Sequence, residues 1–554
     1  MKGNIRATWR WHHSDRPLLA FAPHRMTRSR STRLTASLCA LALLIGSAGV
    51  RAQDTPPPAT QNALPALGDS ISDDLSVGTE RRLGDQIMRA IRQDPDYLDD
   101  PVLVEYLQSI WQPLVAASRA QGNIDAESDQ RFAWEPFLVR DKTVNAFALP
   151  GGYVGVHLGL IAMTATRDEL ASVLAHEMSH VTQRHIARGM VNSRRQSLIG
   201  LAGMILGVIA ATRSNRVDGA NAIFTGSQAA SVQGQLNFSR DMEREADRVG
   251  FKVLTGAGFA PGGMAAMFEK LDQASHLNDS GGFPYLRTHP ITTERIGDAR
   301  QRLGTAAPVA PVSVLAHVAA QARSRVLMDT RIDALRRWQS QDKVAPDASV
   351  GDRLNAAYAS ALASTLLHDW SRADAALQVA LGVVRGSPRS DAVAEREVVL
   401  LQAQSLAERG DGVRAGQVLK PYAEAGATPS RAVLLMQAQA ALAAPKTDPA
   451  VKRSADDLQT WTTLHPSDAL AWQQLSRTWE QLGQQLRSLR AEAESHYAVG
   501  DLTGAVDRLR AGQRLARTPG GKVDFIDASI IDARLRELEG QRRRQMEEER
   551  RQEG

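Results

Sequence analysis

Cysteine is nearly absent: Cys39 is the only one in 554 residues, and it lies in an N-terminal segment expected to be removed. The remainder can form no disulfide and carries no thiol to be misoxidised, which suits an oxidising compartment. A long apolar run is also missing. Leu34 to Val50 and Leu198 to Ala211 both fall short of the ~20 residues that a bilayer-spanning helix needs. A basic surplus is missing from the place where a nucleic-acid binder would need it. The formal net charge is +5, but residues 1–52 hold nine Lys/Arg against the single acid Asp15, and removing that +8 leaves the rest of the chain near −3. This excludes an electrostatic drive toward DNA or RNA, so no nucleic-acid partner is expected. Strand signals nearly vanish beyond about residue 311.

What is present divides the chain. At this length two folded domains plus tails are expected. Arg28, Arg30 and Arg33 precede the apolar run 34–50, which ends in small residues before Arg51-Ala52. This reads as an export signal over residues 1–52 with cleavage near Ala52, so the mature protein is expected outside the cytoplasm. A retained anchor is the alternative, and Met26 could serve as the start. Residues 53–75, with Pro56-Pro57-Pro58, read as a linker.

From Glu80 the apolar spacing (Leu83, Ile87, Ile91, then Leu103, Tyr106, Leu107, Ile110, Leu114) predicts two helices around an Asp/Pro-rich turn near 94–101. Strands are predicted over Trp134 to Val139, Ala146 to Leu149 and Tyr153 to His157, the last two joined by Pro150-Gly151-Gly152. Arg167 to Arg188 reads as one long helix. Residues 76–310 are therefore expected to form an α+β domain, mostly helical with a small sheet. The run 198–211 reads as a buried or mobile helical hairpin, or as a flap that touches substrate or makes peripheral membrane contact.

Residues 311–540 read as an all-α domain of helical repeats. Ala361/Asp369/Ala373/Leu377, Ala403/Asp411/Ala415/Leu419 and Ala493/Asp501/Ala505/Leu509 share one internal spacing, and the three sets lie 42 and 90 residues apart. Small residues at facing positions and an Asp turn suit tetratricopeptide-type helix pairs, in a degenerate array. The charged tail 541–554 reads as a frayed or disordered helix.

His176-Glu177-Met178-Ser179-His180 fits H-E-x-x-H. Four residues advance a helix by about 400°, so the two imidazoles leave one face and can chelate one zinc ion, while Glu177 can take a proton from an attacking water. A third ligand is needed. Glu243 and Asp247 share a helical face, and one can bind metal while the other accepts the N–H of a ligand histidine. An acidic pair on a helix is ordinarily a solvated surface, so the surrounding residues must decide.

They do so as a set. D-x-x-V-N-A-F-A-L-P-G-G-Y-V-x-V-H-x-G-L-I from Asp141, H-E-M-S-H-V-T-Q-R-H from His176, S-R-D-x-E-x-E-A-D from Ser239 and T-H-P-x-x-x-x-R-I from Thr288 occur in that order. Over residues 76–310 the chain resembles the HtpX and CAAX-protease superfamily of zinc metallopeptidases. The export signal and the repeats make it most similar to the periplasmic BepA-like branch, a resemblance that is architectural only over the repeats.

The resemblance implies a zincin-like metalloprotease fold with one Zn2+ per chain. It implies His176, His180 and Glu243 as ligands, Glu177 as general base and Asp247 as the partner that orients a ligand histidine. It implies that Tyr153, Val154, Gly155 and Val156 hydrogen-bond an extended substrate backbone. Asn145 is a candidate for substrate contact or for a structural turn. His289 is either a fourth ligand that blocks the water in a resting enzyme or a donor to the tetrahedral oxyanion, and Gly281-Gly282 could hinge its segment. His185 belongs to the family pattern, but its spacing from His180 takes it off the ligand face, and no catalytic role is assigned.

The expected activity is hydrolysis of internal peptide bonds by a zinc-dependent endopeptidase. The resemblance implies a place in quality control and assembly of outer-membrane proteins, with unfolded or misassembled chains as substrates and assembly machinery as a partner of the repeats. The alternative is a chaperone or adaptor that works through its repeats while the metal site is held shut.

Overall fold

The computed structural model describes residues 76–192, 239–277, 283–304, 314–342, 345, 347–388, 391–423, 430–518 and 524–553. The expected signal segment, the linker, the apolar run 198–211 and the Gly281-Gly282 hinge lie outside these residues. No helix among the described residues is long and apolar enough to cross a membrane.

The first helix, α1 (Val77–Arg92), starts on Ser76, whose hydroxyl accepts from the Thr79 N–H, and it buries Leu83, Ile87 and Ile91 on one face. A two-residue strand, β1 (Tyr97–Leu98), occupies the expected turn. Helix α2 (Pro101–Ala120) then begins on the Asp100 cap with proline in its first turn, where the missing N–H costs nothing. After α3 (Ala126–Arg131) come β2 (Glu135–Val139), β3 (Ala146–Leu149) and β4 (Tyr153–His157), close to the predicted limits. The strand order is β1-β2-β4-β3: β4 is parallel to β2 and antiparallel to β3. The β3–β4 turn needs its glycines, because Gly151 and Gly152 have φ of 78° and 88° and a Cβ on Gly152 would come within 2.9 Å of Phe132 Cβ.

Helix α4 (Leu158–Met163) leads into α5 (Arg167–Thr182), which is buried on nearly every side. The single helix expected over 167–188 is two helices. Arg184 adopts a left-handed φ of 51°, and α6 (His185–Asn192) sets off in a new direction. Periodicity alone does not register this break, because no glycine or proline marks it. Helices α7 (Arg240–Gly256), α8 (Gly262–Leu277), α9 (Tyr285–Thr288) and α10 (Thr293–Arg302) complete this half. Its core joins Leu103, Leu107, Ile110, Trp111 and Leu114 of α2 to Leu170, Leu174 and Met178 of α5 and to Val249, Val253 and Leu254 of α7.

The second half is helical throughout its described residues. It comprises α11 (Leu315–Leu327), α12 (Ile332–Gln339), α13 (Val350–Leu366), α14 (Trp370–Arg385), α15 (Ala392–Glu408), α16 (Gly412–Ala423) and α17 (Arg431–Ala443). It ends with α18 (Pro449–Leu464), α19 (Ala469–Gln481), α20 (Gln485–Ala498), α21 (Leu502–Ala516) and α22 (Phe525–Glu553), and α22 continues through the tail from residue 541. The three aligned sequence segments are the helix pairs α13/α14, α15/α16 and α20/α21. In each, the residue before the aspartate is left-handed (His368, Gly410 and Gly500, with φ of 58°, 85° and 83°), which closes the first helix. The aspartate side chain then accepts from the N–H three residues on and opens the next helix. Ala373, Ala415 and Ala505 are fully buried, so the small residues permit close packing as read from the spacing.

The two halves share core and charge. Ala320 of α11 belongs to the first core, and Val102 of α2 packs into the second half among Leu400, Ala403 and Leu419. The Arg323 guanidinium grips Asp100 with bonds of 2.7 and 2.6 Å, and both side chains are nearly solvent-free. Arg431 binds Asp99 and Asp468 together, and His317 sits between the Tyr106 hydroxyl (2.6 Å) and the Thr164 carbonyl (3.0 Å).

Removing one partner of a buried ion pair strands the other, at a cost of about 3–5 kcal/mol. Arg323→Ala is therefore expected to lower the thermal midpoint and to separate the melting of the two halves in calorimetry. An unchanged single transition would show that the apolar contacts alone join them.

Candidate active site

Helix α5 carries His176, Glu177 and His180, and α7 crosses it carrying Glu243 and Asp247. The crossing is tight: a Cβ on Gly250 would lie 3.0 Å from the Ala175 carbonyl oxygen and 3.2 Å from His176 Cα. With Ala246 also fully buried, nothing bulky holds the backbones apart at this point. The short reach of a glutamate is then sufficient. Glu243 places one carboxylate oxygen 3.5 Å from His176 Nε2 and the other 3.5 Å from His180 Nε2, and the two Nε2 atoms are 3.0 Å apart. His289, which closes α9, puts its Nδ1 2.9 Å from Glu243 and 3.4 Å from His176 Nε2. Its ring stacks on Tyr285. His176, His180, Glu243 and His289 each offer a ligand atom within 4.8 Å of all the others.

The donor set fits a divalent ion. Asp247 Oδ1 lies 2.9 Å from His176 Nδ1, and because a carboxylate only accepts, the ring proton belongs there and the Nε2 lone pair faces the cluster. Two imidazole nitrogens and a carboxylate converging in a buried volume repel unless a cation or shared protons lie between them. Glu177 is also fully buried, with His289 Nε2 3.6 Å from one of its oxygens and the Ala148 backbone beside the carboxylate. A carboxylate buried so fully and paired so loosely suits one held ready for a reactant.

The protonation preferences express the same crowding. Burial would depress the His176 imidazole, but hydrogen bonds and charge from Asp247 and Glu243 outweigh it and lift the group to about 10. Burial, reinforced by the neighbouring His176 and His289, drives His180 well below its ordinary value. Burial raises the Glu177 carboxyl. For Glu243 and Asp247 burial is overcome by their cationic neighbours, and both are held below the carboxylate range.

One residue of this site drew no role from the sequence. Arg295 of α10 binds Asp247 through Nε (2.7 Å) and Nη2 (2.8 Å), and its Nη1 lies 2.8 Å from Glu243. It fixes both acids at once. The signal was in view, since Arg295 is the arginine of T-H-P-x-x-x-x-R-I, but the pattern does not say that the guanidinium turns inward.

The strand residues stand differently from what was expected. β4 is hydrogen-bonded to β2 on one side and to β3 on the other, so Tyr153, Val154, Gly155 and Val156 offer no free backbone edge. Tyr153 points to α1, where its hydroxyl donates to Asp85 at 2.6 Å. Among the described residues the outer strands of the sheet are β1 and β3, and it is β3 whose Ala148 backbone lies beside the Glu177 carboxylate. The sequence places both strands near the cleft, but only the sheet order says which is the outer one. Asn145 is half-buried, and its carbonyl accepts from the His157 N–H, a turn contact.

Two histidines one helical turn apart, a carboxylate from a crossing helix and a fully buried glutamate beside them have the form of a metallopeptidase-type centre. Residues 104–303 match the model of Peptidase family M48, and this part of the chain is an M48 peptidase domain. The beta-barrel assembly-enhancing protease of Escherichia coli (strain K12) is 34% identical over 285 residues, which cover 51% of this chain and 55% of that protein. The protein of the same description from Yersinia pestis is 29% identical over 522 residues, covering 91% of this chain and 97% of the relative. The mitochondrial metalloendopeptidase OMA1 of Saccharomyces cerevisiae is 31% identical over 197 residues, covering 34% and 53%. With the Yersinia protein as the exception among these, the chain spans about half the length of the relatives it matches.

Loss of a carboxylate that orients a ligand histidine weakens metal binding about 10–100-fold. Asp247→Ala is expected to do so in a competition assay against a chromophoric zinc chelator, whereas Asp241→Ala on the exposed first turn of α7 leaves affinity unchanged. Equal affinities would show that Asp247 serves Arg295 alone.

Proposed function

We propose that the chain is a zinc-dependent endopeptidase that cleaves unfolded or misassembled polypeptides. The observation that carries this reading is the fully buried Glu177 carboxylate beside the converging nitrogens and oxygens of His176, His180 and Glu243. These three residues would hold one Zn2+, with Asp247 and Arg295 fixing the direction of two of them. The ion, when bound, supplies Lewis acidity to the scissile carbonyl and to a water. Glu177, whose carboxyl is raised above its ordinary value by burial, takes the proton of the attacking water and passes it to the departing amine. The open edge of Ala146–Leu149 suits an extended chain lying as an added strand, which reads main chain and tolerates varied side chains.

His289 lies in the cluster, 2.9 Å from Glu243 and 3.6 Å from Glu177, which favours the resting role, in which it occupies the place a water would take. An enzyme shut in this way until a substrate arrives also accommodates the second reading, an adaptor that works through its helical half. The helix pairs with their Asp caps support tetratricopeptide-type repeats and hence a partner-binding surface. The names of the Escherichia and Yersinia relatives support a role in assembly of outer-membrane β-barrel proteins, and therefore a periplasmic setting, contact with that machinery and removal of stalled chains.

General-base catalysis contributes about 10²–10⁴-fold. Glu177→Gln is expected to retain zinc and fold while losing cleavage of an unfolded protein substrate by at least that factor; turnover near wild type would reject the assignment. Restoration of β-barrel assembly by the same variant in a deletion strain would favour the adaptor reading.

A further inference from the structure

His185 has so far been given no part in the chemistry, and on a continuous helix it would have none. Five residues after His180 it would project about 140° away from the ligand face. The chain does not continue as a helix there. Arg184 turns left-handed, and its guanidinium Nε holds the buried Glu80 at 3.1 Å. A non-glycine residue in this conformation is uncommon and is kept only where its surroundings enforce it. The consequence is that α6 restarts with His185 folded back against His180, their Nδ1 atoms 2.9 Å apart and both rings without solvent exposure.

The protons in this contact can be placed in order. Glu245 Oε2 lies 3.0 Å from His185 Nε2, and a carboxylate can only accept, so His185 carries its proton on Nε2. Arg188 steadies the same oxygen at 2.8 Å. The His185 Nδ1 then presents a lone pair, and the His180 Nδ1 facing it must be the donor. His180 is left with its lone pair on Nε2, the atom that faces His176 and Glu243. On the other side of the cluster Asp247 acts directly on His176, whereas here the carboxylate acts through an intervening imidazole.

We propose that His185 and Glu245 are positioning residues which, through the chain Glu245–His185–His180, hold His180 in the Nδ1-protonated tautomer with its Nε2 turned toward the metal. The proposal rests on His180 being a zinc ligand. Helix α7 then supplies three carboxylates to one centre: Glu243 to the ion, Asp247 to the first histidine and Glu245 to the second. The left-handed turn at Arg184 is the device that brings the relay into place, which gives the Glu80–Arg184 pair a function beyond stability.

The test uses the full-length chain stripped of metal, with zinc affinity read by chelator competition and coordination read from the visible absorption of the Co2+-loaded protein. His185→Phe keeps a ring but removes the acceptor, Glu245→Ala removes the carboxylate, and His185→Asn keeps an acceptor oxygen at the position of Nδ1. Phe and Ala are expected to weaken zinc about 10–100-fold and to alter the Co2+ bands, while Asn stays close to wild type. Wild-type affinity and spectrum in both His185→Phe and Glu245→Ala would overturn the relay, as would an Asn variant no better than Phe. Glu245 is partly exposed, so its variant decides the matter if His185→Phe does not fold. A wild-type chain that takes up no zinc, or takes it up equally well after His180→Ala, would instead overturn the metal-site reading, and the relay with it.

Discussion

The close crossing of α5 and α7 is the constraint on which the site depends. Gly250 lies so close to Ala175 and His176 that a Cβ there would force the backbones apart by a few tenths of an ångström, and Ala246 fills the next position along the contact. Helices separated at their axes by leucine-sized residues would leave the Glu243 carboxylate short of the two imidazoles. Here the backbones approach closely, so residues more than sixty positions apart in the chain meet around one point. The position is over-determined, because Arg295 grips two carboxylates of α7 while Asp247 in turn grips His176 of α5.

Charge follows from that geometry. Glu243 and Asp247 are buried against the Arg295 guanidinium, and Glu177 is buried beside the same histidines. Buried carboxylates are costly unless countered, and one arginine cannot counter three. The rise of His176 to about 10 and of the Glu177 carboxyl above its usual range are the two ways in which a metal-free cluster can take up protons to offset the excess. A divalent cation removes the same excess without protonating the ligand or the base. Metal preference and base strength therefore have a common origin in burial.

The helical half is built into the structure that positions this site. Asp100 caps α2 at the Leu103 N–H and also accepts both arms of Arg323 from α11, so the start of a core helix and the attachment of the second half share one carboxylate. His317 reaches Thr164 beside the start of α5, the helix that bears the two histidines. A partner bound by the helical half would act on elements two steps removed from the cluster of His176, His180 and Glu243, through contacts that are buried and polar and thus intolerant of small shifts.

The sequence alone determined what depends on local spacing. Apolar periodicity marked α1 and α2, alternation and turn glycines marked β2 to β4 to within a residue, and the Ala/Asp/Ala/Leu spacing identified three helix pairs whose Asp residues do cap the second helix. The H-E-x-x-H spacing put two imidazoles on one face, and the four-residue spacing of Glu243 and Asp247 put two acids on another. Tertiary structure decided what depends on which segments become neighbours. Sheet order is not written in strand composition, and it made β3 rather than β4 an outer strand among the described residues. A helix break with no glycine or proline is held by a distant partner, Glu80, and so is invisible to periodicity; it turned His185 from a position off the ligand face into a neighbour of His180. Arg295 was in plain view as a letter of the motif, yet only the fold directs it inward to two carboxylates on another helix, because the direction of a side chain is fixed by what packs around it.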